Sequence, residues 1–205
     1  MELKEQISRA ALKRLPQYLR IIKEHEEMKF ISSTFIAKEL NLNPILVRKD
    51  LAFVYKSDGK PGNGFEVLTI IKEIEEFLGL NEVNNAIIVG AGKLGQALLN
   101  YQGFNTNLNI KMAFDNDESK CDNVRIFKLE SLKKLVKNKN IKIGIITVPK
   151  ENAQEVCDLM INAGIKAIWN FAPVNLKVPE EIAIKNEDLS TSVVILLKDY
   201  DNKNN

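Results

Sequence analysis

The chain has 205 residues, room for one large domain or two small ones, and its apolar (45%) and charged (27%) fractions are ordinary for globular protein. No apolar run reaches the roughly 18 residues of a membrane helix, and Met1-Glu2-Leu3-Lys4-Glu5 has no apolar signal core, so no membrane association is expected and a cytoplasmic location is. Net charge is +2 but uneven, with 12 Lys/Arg against 8 Asp/Glu in residues 1–60 and 17 against 19 in the rest, a tilt that suits an N-terminal module working near an anion.

Apolar residues at Leu12, Leu15, Leu19 and Ile22 fall at helical spacing. Pro16 interrupts them and predicts a short first turn followed by a new or kinked helix. Arg9, Lys13, Arg14 and Arg20 lie off the stripe. Ser32 and Ser33 offer capping hydroxyls to a helix through Leu40. Asn41-Leu42-Asn43 is a short turn, and Asn43 with Pro44 starts a second helix running to about Tyr55. Two short helices across a three-residue turn form a helix-turn-helix, which would present Arg48 and Lys49 to a major groove. Ser57 to Gly64 holds three glycines and Pro61, a tight hairpin or wing with Lys60 at its tip. Arg9, Lys13, Arg14, Ser32, Ser33, Arg48, Lys49 and Lys60 are thus the candidate DNA contacts. The rival reading of the same pattern is a small helical bundle with a solvated basic face.

An amphipathic helix over Val67–Leu78, capped by Gly79, leads into a region where strand and helix patterns alternate. Strands are expected at 86–90, 110–114, 143–148 and 166–171, with a short segment at 124–127 and a weak strand at 182–185. Helices are expected at 93–101, 130–137, 151–163 and 189–200. The fold class is α/β, an N-terminal helix-turn-helix module followed by a doubly wound parallel sheet. The last helix, with Val193, Leu196 and Leu197 at helical spacing, has no obvious partner in so small a domain.

Gly90-Ala91-Gly92-Lys93-Leu94-Gly95 reads G-x-G-x-x-G between a strand and a helix, and Asp115 closes the next strand. Gly90 permits the tight turn, Gly92 lets the backbone approach a pyrophosphate, and Gly95 lets helix and strand pack closely. The helix N-terminus offers amides to the phosphates. Asp115 can accept both hydroxyls of an adenosine ribose and would repel a 2′-phosphate, which favours NAD(H) over NADP(H). The ends of the third and fourth strands, Thr147-Val148-Pro149 and Asn170-Phe171, are the expected nicotinamide wall, with Trp169 beside it. The alternative is a glycine-rich turn that binds nothing. His25, the one histidine, lies in the first module, and no substrate domain follows the second, so no catalytic residue is expected. Cys121 and Cys157 make no metal pattern and are read as ordinary thiols, with Cys121 the candidate for any redox role.

Several stretches together resemble the Rex family of redox-sensing transcriptional repressors: Ile7 to Pro16, Val47-Arg48-Lys49-Asp50-Leu51, Val89 to Gly95, Asn100 to Phe104, Ala113-Phe114-Asp115, Val148-Pro149 and Asn170-Phe171-Ala172-Pro173. The resemblance implies a winged-helix domain over 1–80 and a Rossmann NAD(H)-binding domain over 81–188. It also implies that the C-terminal helix, 189–200, is swapped between the subunits of a homodimer; the polar tail at 201–205 is by its composition expected to be disordered. It implies binding to an inverted-repeat operator, release by NADH, and response to the NADH/NAD+ ratio, with Tyr101 and Asp188 as switch residues. The wing, Lys60-Pro61-Gly62-Asn63-Gly64-Phe65, departs from the family's Lys/Arg-Gly-Val-Gly-Tyr. The competing function is a small NAD-dependent oxidoreductase with a helical extension. Replacing Arg48 and Lys49 together by alanine is expected to weaken operator binding by about 1–3 kcal/mol per lost base contact and to lower its salt dependence, leaving NADH affinity intact. Electrophoretic mobility shifts and NADH titration read the two effects separately.

Overall fold

The structure, a computed structural model, describes residues 7–56, 64–104, 107–121, 124–137 and 141–204. The chain divides into two compact units between Glu82 and Val83, two residues beyond the 80/81 boundary that the sequence suggests.

In the first unit α1 runs Arg9–Lys23, β1 Phe30–Ile31, α2 Ser33–Glu39, α3 Pro44–Val54, β2 Phe65–Glu66 and α4 Val67–Leu78. Pro16 does not break α1. A proline forfeits one backbone hydrogen bond, and here Leu15, Tyr18 and Ile22, all fully buried around it, carry the helix through. Ser32 caps α2 by accepting from the Phe35 amide at 3.0 Å, and Asn43 caps α3 by accepting from the Ile45 amide at 2.8 Å. Between them Asn41 takes a left-handed conformation, φ 52°, that asparagine tolerates. β1 and β2 pair antiparallel, at the base of the segment read as a wing. Lys60 and the wing tip, 57–63, lie outside the described residues. Gly79, φ 66°, ends α4 with its own amide and that of Leu80 turned back onto the last helical turn.

The core of this unit includes one polar cluster. Asp50 on α3 is buried, and one of its oxygens accepts from the Arg14 guanidinium at 2.8 Å and from the Tyr18 hydroxyl at 2.8 Å. Arg14 also donates to the Tyr18 oxygen at 3.1 Å. Three groups thus satisfy one another across 32 to 36 residues of sequence and lock α1 to α3.

The second unit is a six-stranded sheet, every strand pair parallel, in the order β5-β4-β3-β6-β7-β8. The strands are β3 Asn84–Val89, β4 Leu108–Asp115, β5 Ile126–Lys128, β6 Ile143–Ile146, β7 Ala167–Asn170 and β8 Ala183–Asn186. Counted within the unit, that is 3-2-1-4-5-6, the dinucleotide-binding order. One face packs α6 (Leu132–Lys137) and α7 (Lys150–Asn162) onto Ile87, Met112, Phe114 and Ile146. The other face gathers Ile88, Ala113, Ile145 and Leu99, from α5 (Lys93–Leu99). The last helix, α8, spans Leu189–Asn204, past the expected end at Tyr200 and through most of the tail read as disordered. No glycine or proline stops it, and the Asn204 side-chain Nδ2 donates to the Tyr200 carbonyl at 2.8 Å. Val193, Val194, Ile195, Leu196, Leu197 and Tyr200 are each exposed. Among the described residues no helix is long and apolar enough to cross a membrane.

Asp50→Asn leaves the Arg14 charge half-matched beside a buried amide. It is expected to destabilise the first unit by about 3 kcal/mol, the low end for breaking a buried pair because Arg14 keeps some water, read as a lowered denaturation midpoint. Burial, and then the Asp50 carboxylate, push the Tyr18 hydroxyl up to about 12 from the usual 10.0. The unfolded chain therefore gives up this proton first, and the stability Tyr18 contributes is lost as pH rises from about 10 through about 12. In a pH series of unfolding curves, Tyr18→Phe should lack that component.

Candidate functional site

The carboxyl ends of β3 and β6 diverge at the point where strand order reverses, and a cleft of about 450 Å³ opens there. Its walls include Gly90, Gly92, Asp115, Thr147, Val148 and Pro149 from the expected set. Gly90 has φ +104°, and a side chain there would meet the Thr147 backbone at 2.7 Å. The Thr147 hydroxyl donates to the Gly90 carbonyl at 2.7 Å, tying the turn to β6. A Cβ on Gly95 would stand 1.9 Å from the same carbonyl. Gly92 differs, because a Cβ there would have nothing within 4 Å and would project into open space. Two glycines are thus needed for packing and one leaves room for something else.

Asp115 ends β4 at the rim. Its Oδ2 accepts from the Ala91 amide at 2.7 Å and from Lys120 Nζ at 3.1 Å, and its Oδ1 from the Asp117 amide at 2.8 Å. Partial burial raises its affinity for a proton, but the two amides and Lys120 outweigh it, so the carboxyl titrates below its usual range and is ionised at neutral pH. Lys120, Asn152, Leu129 and Val156 also line the cleft. The sequence reading missed them because Lys120 lies in a polar loop with no periodic pattern and the other three read as ordinary core or helix positions. Lys93 and Leu94 open α5 exposed, beside the cleft rather than in its walls.

The other half of the expected wall is arranged differently. Asn170 is fully buried, and its amide donates to the Ala172 carbonyl (3.2 Å), the Val174 carbonyl (2.8 Å) and Asn186 Oδ1 (2.9 Å) while its own oxygen accepts from the Ala172 amide (2.9 Å). Both amide donors, and one acceptor site of the oxygen, are thus used in folding the chain after β7. Phe171 stacks on Trp169, centroids 4.9 Å apart, and Trp169 belongs to the core on the α5 face, whereas Leu129 and Val156 of the cleft pack with the α6–α7 face. Alternation along β7 puts Ile168 and Trp169 on opposite faces. Trp169, expected beside the wall, is not among the residues that line the cleft.

On the first unit Arg9, Lys13, Arg48 and Lys49 are exposed, and Ser32 keeps an exposed hydroxyl while capping α2. Ser33 is partly covered in the first turn of α2. The Arg14 guanidinium, by contrast, is only partly exposed and is bound to Asp50 and Tyr18. Tyr101 is exposed, edge-on to Phe104, in a cleft of its own with Arg125 and Val83. Asp188 caps α8, accepting from the Ser190 and Thr191 amides at 2.9 and 3.3 Å and from both hydroxyls, which pull its carboxyl down to about 2. Among the described residues there is no cluster of three or more His, Cys, Asp or Glu able to hold a metal. Cys121 is half-buried and Cys157 is buried, and both are free thiols.

Two family models match the chain, one described as "CoA binding domain" over residues 81–174 and one as "Putative DNA-binding protein N-terminus" over residues 6–52. The redox-sensing transcriptional repressor Rex of Treponema denticola is 42% identical over 193 residues, 91% of each chain. That of Clostridium perfringens is 39% identical over 204 residues, 96% of each. Among solved structures, RSP in complex with β-NAD+ and operator DNA superposes with a TM-score of 0.88 at 34% identity, covering 97% of this chain and 94% of that one. RSP in complex with β-NADH gives 0.84 at 34% identity over 97% and 96%.

The two kinds of glycine separate experimentally. Gly95→Ala forces backbone to move and is expected to cost about 1–3 kcal/mol of stability. Gly92→Ala is expected to leave thermal stability unchanged and to weaken NADH binding at least about tenfold, measured by calorimetric titration.

Proposed function

The chain belongs to the Rex family of redox-sensing transcriptional repressors, and we propose that it binds an inverted-repeat operator as a homodimer and leaves it when NADH fills the cleft at the ends of β3 and β6. The observation that carries this reading is the pairing of two features along one chain. A helix-turn-helix with exposed Arg48 and Lys49 is followed by a dinucleotide-type sheet, and both are aligned over 97% of the chain with a relative solved with β-NAD+ and operator DNA.

The residues fit an NAD-type cofactor. The open space before Gly92 suits a pyrophosphate that must approach bare backbone, and a side chain there would fill it. Asp115, ionised and at the end of the second strand of the unit, suits a ribose diol. A carboxylate here also disfavours coenzyme A, whose ribose carries a 3′-phosphate, although one matching model bears that ligand's name. Thr147, Val148 and Pro149 would bound the far half of the ligand. Phe171 could contribute only by its ring, and Asn170 by holding the loop in place. When bound, the dinucleotide would supply the redox signal; the protein supplies binding and discrimination. Among the described residues, the two charged side chains lining the cleft, Asp115 and Lys120, pair with each other, which speaks against a spare proton donor for the oxidoreductase alternative.

On the DNA side, Arg9, Lys13, Ser32, Ser33, Arg48 and Lys49, with Lys60 at the wing, would meet phosphates and base edges. Two copies reading two half-sites need their recognition helices about 34 Å apart or a multiple of it. The exposed apolar residues of α8 suit burial in a second subunit, with Tyr101 and Asp188 making contacts that differ between the two states. A repressor acting on operators works in the cytoplasm. Because linkage is reciprocal, operator DNA weakens NADH binding by the factor by which NADH weakens operator binding.

The test is retention of an AT-rich inverted-repeat operator at fixed salt while NADH or NAD+ is titrated. Release by NADH and not by NAD+ is expected. Operator binding indifferent to both, or steady turnover of NADH with a substrate, would overturn the proposal.

A further inference from the structure

This inference rests on the NADH reading above and concerns how the cleft tells a ribose diol from a ribose phosphate. A diol chelated by a carboxylate uses both oxygens. In Asp115, Oδ1 holds one donor, the Asp117 amide, and Oδ2 already holds two, the Ala91 amide and the Lys120 ammonium. The two amides are fixed by the backbone of the glycine turn and of the loop after β4. Lys120 is the one donor on a flexible stem, and its side chain is 33% exposed against 12% for Asp115. It also has somewhere to go, since Asp117 Oδ2 lies 3.6 Å from its ammonium.

We propose that Lys120 is a specificity-determining residue of the cofactor cleft: it occupies Asp115 in the ligand-free protein, swings toward Asp117 when a ribose diol arrives, and stays close enough to partner a 2′-phosphate. The consequence is a site with two opposed charges where the sequence suggested a purely acidic one. Asp115 repels the 2′-phosphate of NADPH, and Lys120 partly offsets that repulsion while competing with the diol of NADH. Discrimination between the two cofactors is then set by the pair, and each member can be removed alone. The geometry distinguishes Lys120 from an ordinary surface lysine, because its nitrogen sits on the oxygen a ribose hydroxyl must reach.

The experiment is calorimetric titration of the full-length protein with NADH and with NADPH, in wild type, K120M, K120R, D115N and the D115N/K120M double variant, with thermal melts to establish that each is folded. K120M is expected to bind NADH several-fold more tightly and NADPH about tenfold more weakly than wild type, a charge-assisted contact being worth at least that factor. K120R, which keeps the charge, should keep the wild-type ratio. D115N should weaken NADH and strengthen NADPH, and D115N/K120M should lose the gain for NADPH. If K120M weakens both cofactors equally, or if NADPH binds D115N equally well with and without Lys120, the proposal is overturned. NADH binding whose ratio to NADPH ignores Lys120 overturns this inference alone. Wild-type protein that binds neither cofactor overturns the NADH reading as well.

Discussion

The second unit depends on one close approach. The Gly90 carbonyl is met on one side by Gly95, where a single extra carbon would stand at 1.9 Å, and on the other by the Thr147 hydroxyl at 2.7 Å. That oxygen joins the end of β3, the first turn of α5 and the end of β6. Backbone packed this tightly cannot drift, because interiors at crystal-like density have no free volume to give. The strands therefore part at a defined place, and the space between them is lined by groups whose positions follow from the sheet.

The first unit is held by a different kind of constraint. Its α2 is short, and an isolated seven-residue helix has little stability of its own. Apolar packing around Leu15, Ile22, Leu51 and Ile70 supplies the bulk of the driving force. Apolar contact is non-directional, however, and would tolerate α3 at several rotations. The Asp50 carboxylate, bonded to Arg14 and Tyr18, is directional, and it fixes which face of α3 turns inward. Val47, Leu51 and Val54 are buried with it, leaving Arg48 and Lys49 outside. A buried polar cluster thus orients the surface on which DNA reading would depend.

Asp115 shows how one side chain serves both structure and recognition. Its three bonds hold the glycine turn, the loop after β4 and Lys120 together. A ligand competing for that carboxylate does not meet a vacant acceptor. It exchanges one set of hydrogen bonds for another, so net affinity is the small difference that such exchanges leave. Selectivity then turns on which partner is easiest to displace.

What the sequence determined by itself is everything that acts over a few residues. Asn43 with Pro44, Ser32 before α2, Gly79 after α4 and the glycine turn after β3 are all legible because a cap or a tight turn is satisfied by neighbours in the chain. The alternation of strands and helices followed from apolar periodicity, and the acidic end of β4 from its place in that order. Pairings across long separations are set by the packed fold alone. Arg14 reads as one more basic residue off a helical stripe until Asp50, 36 residues on, claims it. Asn170 reads as a ligand contact until Asn186, 16 residues on, takes its amide. Trp169 lies next to the expected wall in sequence, and in space it packs with Phe171 into the core on the α5 face. Pro16 within α1, and a last helix that outruns its apolar stripe to Asn204, belong to the same class. The physical reason is common to them: a side chain's partner is chosen by the free energy of the whole packed unit, and the local sequence does not contain that sum.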